Sequence, residues 1–472
     1  MPIRTPLTYQ QRWLWDLTQR YARWQCVVVY AFRLRGALNA ALLAECFDTV
    51  IHRHASLRAR IIEVDGTALM EIEDDLVCQL PCLPVPGATA EEIEANAQRV
   101  VEDLCDQKMD LTAGPFWKVR LLRLNDQEHW LALAMHRIVG DCASIDQAYR
   151  EIRALYSELE RGRPSPLKEP LQYTDYALRQ AESADAWQMR HEPYWSKRLA
   201  GARAIEWPAD PSAATTVHTT LGKVRCLFGE SLSGDLREFA RKSRTLAPTL
   251  MMTLYAIVLW RWSGQTDFVL PFNVAGRQSE HKSVIGYFSY VLYLRIQLTG
   301  EESFKQFLDR VGQEFFSGLS HQDFGRMAFQ YPQLLSGTLF QWVTWHPDDL
   351  PVRTQEPATS ATAVSSDPLK QPIDRVCVRD FGEGLTIVPP GMTAAEITFF
   401  DTANNLYAIG SYRADLFIPE TMDRLMADIR LAMETFVHHP DTPIALFSAR
   451  YPVAPSASPA RSKPDNQPCH SR

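Results

Sequence analysis

The sequence predicts an α/β protein of two lobes followed by a tail, and three observations carry that reading. Its 472 residues exceed what one core usually holds and suit two lobes of roughly 150–250 residues each. Helical and strand-like periodicities alternate along both halves of the chain. The run Trp130 to Met135 is apolar on both faces, the mark of a strand in the middle of a sheet that is covered on both sides. The expected organisation is an N-terminal lobe over residues 1–175, a C-terminal lobe over 176–450, and a disordered proline- and serine-rich tail over 451–472.

In chain order, "ALNAALLAECFDTVIHRH" places Leu42, Leu43, Cys46, Val50 and Ile51 on one helical stripe. "WKVRLLRLNDQEHWLALAMH" reads as two strands around a polar turn at Asn125 to Glu128. The second of these strands delivers His136 at its end, where α/β folds commonly place their sites. The proline-marked stretch Arg161 to Pro170 leads into a helical segment joining the lobes. The second lobe then shows an amphipathic helix through "LREFARKSR", a buried helix opened by Pro248 and a strand at "DFVLPFNVAG". An apolar run, "YFSYVLYLRIQL", and a hairpin in "EITFFDTANNLYAIGSY" follow. From Tyr451 the chain loses periodicity and becomes rich in proline and serine.

Composition excludes several classes. Apolar residues make up 46% and charged ones 22%, an ordinary globular balance. A net charge of −7 argues against a nucleic-acid or anionic-membrane partner, since neutralising phosphates needs a concentrated positive field. The longest apolar stretch, Leu250 to Trp262, is interrupted by Arg261 and is too short for a span. The N-terminus lacks the apolar run of a secretory signal. The nine cysteines are scattered, with no metal-ligand spacing beyond the loose "CQLPC". A cytoplasmic, reduced protein with no bound cofactor and no metal is the expectation.

Ten motifs agree in order and spacing with one family. "PLTYQQRWLWDL" keeps Leu14, Trp15 and Leu17 of an opening signature, with Trp13 where arginine is usual. "RHASLRARI" carries Arg53, His54, Leu57 and Arg58 of the pattern RHxxLRTxF. "MHRIVGDCAS" matches HHxxxDG at His136 and Asp141, with Arg137 at the second histidine and Cys142 at the glycine. "YTDYALRQ", "YWSKRLAG" and "VAGR" follow; "IGYFSYVLYLR" then resembles IGxFVNTxxxR, with Tyr290 where asparagine is usual. "HQD" (His321 to Asp323) survives from a motif whose next residues have become Gly325, Arg326 and Met327, and "LFQ" and "YRADLF" complete the run. The chain resembles the condensation domains of non-ribosomal peptide synthesis, within the chloramphenicol-acetyltransferase-like superfamily. The resemblance spans residues 6–440.

That resemblance implies two acetyltransferase-like lobes in a V shape, with a tunnel at their junction where carrier-bound substrates meet. The substrates would ride on the 4'-phosphopantetheine arm of an acyl or peptidyl carrier protein met in trans. The chain has no adenylation, carrier or thioesterase segment, so a free-standing monomer is expected. The resemblance also implies a salt bridge between Asp141 and Arg295 that pins one lobe's loop to the other. Tunnel positions fall at Cys142, Gly286 and Tyr290. Cys142 and Tyr290 are larger than the usual residues, so a narrowed passage and an untethered acceptor are expected.

The catalytic residues expected are His136 and Arg137. Arginine holds its proton at any working pH and cannot be a base, but its fixed donors can stabilise an oxyanion. The other reading of Arg137 is that it pairs with a carboxylate in a dead site. His136, at the end of a buried strand, reads equally as a hydrogen-bonded structural residue. Asp141 reads as structural, and Cys142 as a small hydrophobe before a reactive thiol. The basic run Arg237, Arg241, Lys242 and Arg244 reads as a solvated helix face before a carrier-docking surface. Three functions follow in order. The first is an acyltransferase forming an amide between a carrier-bound thioester and an amine. The second is a degenerate platform that recruits a tailoring enzyme or carrier protein. The third is acyl transfer from coenzyme A.

Overall fold

A computed structural model describes residues 2–21, 26–208, 210, 213, 221–322, 330–344, 374–379, 393–402 and 405–450. The expected tail lies outside these residues, as do Asp323, Gly325, Arg326 and Met327 of the altered motif.

The first half runs β1 (Ile3–Pro6), α1 (Tyr9–Arg20), β2 (Val27–Arg35), α2 (Ala40–Arg53), β3 (Ala59–Val64) and β4 (Thr67–Ile72). It continues through β5 (Cys82–Pro84), α3 (Ala90–Asp106), β6 (Trp117–Asn125), β7 (Glu128–His136) and α4 (Cys142–Leu159). α5 (Tyr173–Glu182) and α6 (Ala184–Arg198) cross to β8 (Leu221–Leu227), α7 (Glu230–Lys242), α8 (Ala247–Ser263), β9 (Asp267–Val274), β10 (Tyr290–Gln297) and α9 (Phe304–Ser320). The described elements continue with β11 (Thr338–Thr344), β12 (Asp374–Arg379), β13 (Ala395–Asp401), β14 (Leu406–Arg413) and α10 (Pro419–His438).

β7 is the central strand of the first large sheet, ordered β12-β2-β7-β6-β5. Every residue of it from His129 on is buried. Its alternate side chains explain this. Leu131, Leu133 and Met135 meet α2 and α4 on one face, while Trp130, Ala132 and Ala134 meet Ala97, Val101 and Leu104 of α3 on the other. A strand apolar on both faces is stable only where both faces are covered.

The second sheet is ordered β10-β9-β11-β13-β14-β8. Behind it, α8 has every residue from Thr249 to Leu259 buried, as a helix apolar all round requires. Pro248 opens α8, and Gly264 at φ 72° ends it, donating its N–H to the Trp260 carbonyl.

Packing does not follow the chain strictly. Val284, Ile285, Tyr287 and Phe288, from the loop between β9 and β10, join the core of the first half. β12, from the second half, pairs antiparallel with β2 as an edge strand of the first sheet. The halves are therefore fastened to each other by both a loop and a strand.

Glu151 on α4 ties α4 to the end of α2. It accepts from His54 at 3.1 Å, Arg53 at 3.2 Å and Gln147 at 3.0 Å. Burial alone would raise its pKa, but the hydrogen bond and charge of His54, with the bonds from Gln147 and Arg53, hold it below the ordinary value of 4.5. A carboxyl depressed in the folded state contributes stability above its unfolded pKa and loses it as pH falls toward the folded value. Thermal midpoints should therefore fall as pH drops below about 4.5. Glu151→Gln should lower the midpoint at pH 7 and shrink the difference between pH 7 and pH 4; an unchanged difference would refute this assignment.

Candidate active site at the lobe junction

The motif sits where β7 leaves the sheet. The His136 N–H donates to the Phe116 carbonyl and the Arg137 N–H to the Cys26 carbonyl, both at 2.7 Å. A short turn then reaches Asp141, the N-cap of α4. Gln11, buried on α1, donates from Nε2 to the Ile138 carbonyl at 2.7 Å, and the Ile138 N–H donates to His136 Nδ1 at 3.2 Å. Nδ1 therefore accepts, and the ring's proton lies on Nε2. His136 is 0% exposed. Burial, with the charge of Arg137, pushes its pKa down to about 3. It is a neutral, oriented imidazole sealed from solvent.

Arg137 is also buried, with Nη2 3.9 Å from Cys142 Sγ. Cys142 is half-buried and opens α4. The motif thus presents a guanidinium and the start of an 18-residue helix, both favouring negative charge, beside a histidine that is uncharged at neutral pH.

Asp141 is the hub of the junction. Oδ1 accepts from Arg277 Nη2 at 2.6 Å, Ser144 Oγ at 2.9 Å and the Ser144 N–H at 3.0 Å. Oδ2 accepts from the Phe288 N–H at 3.3 Å and Ser289 Oγ at 3.4 Å. Arg277 also donates to the Val284 carbonyl at 2.6 Å and the His281 carbonyl at 3.0 Å, and its guanidinium lies 4.5 Å from the Phe288 ring centroid. The expected pairing of Asp141 with Arg295 is therefore wrong. Arg295 instead pairs with Asp267 at 2.7 Å and donates to the Arg198 and Ala200 carbonyls. Strand geometry is the reason. Arg295 lies six positions past Ser289, on the order of 20 Å along an extended chain, whereas Tyr290 pairs with Val274 and so brings Arg277 to the loop's end of the hairpin.

The expected tunnel residues divide. Gly286 is not open to a passage: a Cβ there would lie 2.0–2.6 Å from the Tyr173 ring. That ring is fixed by its hydroxyl, which donates to the Tyr287 carbonyl at 2.6 Å and lies 3.0 Å from Thr8 Oγ1. Glycine is needed for this close approach. Gly286→Ala should cost about 1–3 kcal/mol by overpacking, read as a lower thermal midpoint, and an unchanged midpoint would contradict the described junction. Tyr290 is buried and donates to Gln322 Oε1 at 2.5 Å.

Gln11, Ser144, Tyr173 and Arg277 are site residues that sequence reasoning does not single out. Arg277 ends the motif "VAGR" and Tyr173 opens "YTDYALRQ", so both stand inside motifs of the family. Ser144 carries the helix-start signal of a residue three positions after an N-cap aspartate. In the basic run, Arg237 pairs with Asp401, and Arg241 and Lys242 pair with Glu238, as suits a solvated helix face. Among the described residues, no group of three or more histidine, cysteine, aspartate or glutamate side chains could hold a metal ion. No helix there is long and apolar enough to cross a membrane.

Comparison with known proteins gives the fold and family. A linear gramicidin synthase protein of Brevibacillus parabrevis is 31% identical over 455 residues, which cover 93% of this chain and 8% of that protein. The chain thus spans less than a tenth of that relative's length. The X-domain from teicoplanin biosynthesis superposes with a TM-score of 0.76 at 22% identity, covering 94% of this chain and 97% of that one. The starter condensation domain of rhizomide synthetase RzmA superposes at 0.73 and 18% identity, covering 94% and 98%. These likenesses establish the two-lobed α/β, acetyltransferase-like fold. The family model of the condensation domain matches residues 4–334, and with the motif at the junction of the lobes the chain belongs to the condensation-domain family.

Proposed function

We propose that the protein joins a carrier-bound acyl thioester to an amine, forming an amide in non-ribosomal peptide or hybrid natural-product assembly. The observation that carries this reading is the junction motif, which offers the Arg137 cation and a neutral His136 locked by Ile138, with no neutral-pH base between them. A thioester is activated and a neutral amine is a good nucleophile, so holding them at attack distance supplies much of the acceleration. The amine nitrogen bonds to the acyl carbon, an oxyanion forms and collapses, and the carbon–sulfur bond breaks. The amine's proton ends on the departing phosphopantetheine thiol, so no base is consumed. A hydroxyl acceptor would need a base at the reacting oxygen.

In this reading Arg137 stabilises the oxyanion and His136 positions the loop. The arm of the acyl-bearing carrier protein enters a passage at the junction, which Cys142 and Tyr290 narrow, and the acceptor is an untethered amine. The protein works as a cytoplasmic monomer.

The sealing of His136 at 0% exposure also favours a second reading, a non-catalytic platform. The X-domain of teicoplanin biosynthesis, which shares the fold, is known in complex with OxyB. The test is to offer the intact protein a panel of acyl groups on holo carrier protein with and without amines, and to follow release by mass spectrometry. Amine-dependent amide is the expected result. Release to no amine, together with stable capture of a tailoring enzyme, would overturn the proposal in favour of the platform.

A further inference from the structure

A second polar site lies behind the junction. α5 and the turn Gln278 to His281 line a partly open cavity of about 170 Å³, whose lining includes Arg179, Gln180, Ser183, Gln278, Glu280 and His281. His281 is 3% exposed. Its Nε2 lies 3.2 Å from Arg179 Nη2 and 3.3 Å from Glu280 Oε1. One ring nitrogen can accept from the arginine or donate to the glutamate, but not both. Its Nδ1 has no hydrogen-bond partner among the described residues. Arg179 reaches Glu280 only at 3.8 Å, and both side chains are 54% exposed. A cation and a carboxylate thus compete for one buried imidazole, each with bonding capacity left over at the cavity.

We propose that this cavity binds a small α-amino acid as its zwitterion, the carboxylate on Arg179 and the ammonium on Glu280. Such a ligand resolves the competition, because Arg179 gains an acceptor and His281 is left to donate to Glu280. Size sets the class. At about 170 Å³ the space is below the 300–1,000 Å³ range of drug-sized ligands, which favours the smallest amino acids, such as glycine or alanine.

The site adjoins the Asp141 hub. The His281 carbonyl accepts from Arg277 at 3.0 Å. The His281 ring stacks 5.3 Å from Phe288, whose N–H donates to Asp141 Oδ2. An occupant that fixes the turn therefore holds Arg277 and Phe288 where Asp141 needs them, and by linkage it stabilises the folded junction.

The test titrates the intact protein with glycine and L-alanine, and separately with acetate and methylammonium, following heat of binding and thermal midpoint. Saturable binding of the amino acids, and of neither half alone, is expected. Arg179→Ala and Glu280→Ala should each weaken it about tenfold or more, the loss of one charge-assisted contact. Their ligand-free midpoints should barely move, since both side chains are half-exposed. Three results would overturn the proposal: no saturable signal up to roughly 100 mM, far beyond a millimolar Kd; acetate binding as well as glycine; or undiminished binding in both variants. Binding is read without turnover, so the outcome is independent of the proposed amide synthesis.

Discussion

Asp141→Ala is expected to lose about 3–5 kcal/mol of stability, because it leaves the Arg277 guanidinium buried without its carboxylate. The side chains are 3% and 7% exposed, so water offers little compensation. For a lobe of this size the thermal midpoint should drop by about 6–20 °C. Arg277→Met should be similarly costly alone, and the double variant should cost much less than the sum, with a coupling above ~1 kcal/mol. Arg295→Met should instead combine with Asp141→Ala additively, to within about 0.5 kcal/mol. Its partner is Asp267, 41% exposed and on the far end of the hairpin. Urea unfolding of the two cycles measures both couplings. A strong Asp141–Arg295 coupling with none to Arg277 would refute the described hub.

Arg137→Ala is expected to cut amide formation by about 10²–10³-fold, the usual cost of removing one oxyanion donor. Arg137→Lys should recover only part, since lysine keeps the charge and loses the planar fork. Arg137→His restores the family's motif and a titratable group. Any latent transfer to hydroxyls should appear in that variant and rise as pH passes about 6.5. Single-turnover rates on a confirmed carrier-bound substrate measure this series. If all three variants matched the parent, Arg137 would be a bystander and proximity would do the chemistry.

The local parts of this fold were legible because the signals are local. The doubly apolar Trp130 to Met135 could only be a central strand, and the all-round apolar α8 with Pro248 ahead of it could only be a buried helix. Asp141 was legible as structural from its motif, but its partner was not. Choosing between Arg277 and Arg295 requires the register of β9 against β10, and both arginines flank the same loop in sequence. The roles of Gln11 and Tyr173 were hidden for the same reason. Each acts over more than a hundred residues, Gln11 on the Ile138 carbonyl and Tyr173 on the Tyr287 carbonyl. Gly286 was expected at a passage, yet its lack of a side chain serves the Tyr173 ring. The sealed, proton-on-Nε2 state of His136 follows from the Ile138 N–H, which no motif records.

Amide formation at a motif without a base should leave its mark on the pH dependence of single-turnover amide formation. The rate should rise with deprotonation of the amine acceptor alone. Its inflection should move with the pKa of each amine used, and no enzymic inflection should occur between pH 5 and 8, because His136 titrates only near 3 and Arg137 not at all. An inflection near 6.5 that stays fixed across amines of different pKa, and disappears in His136→Gln, would contradict the base-free site.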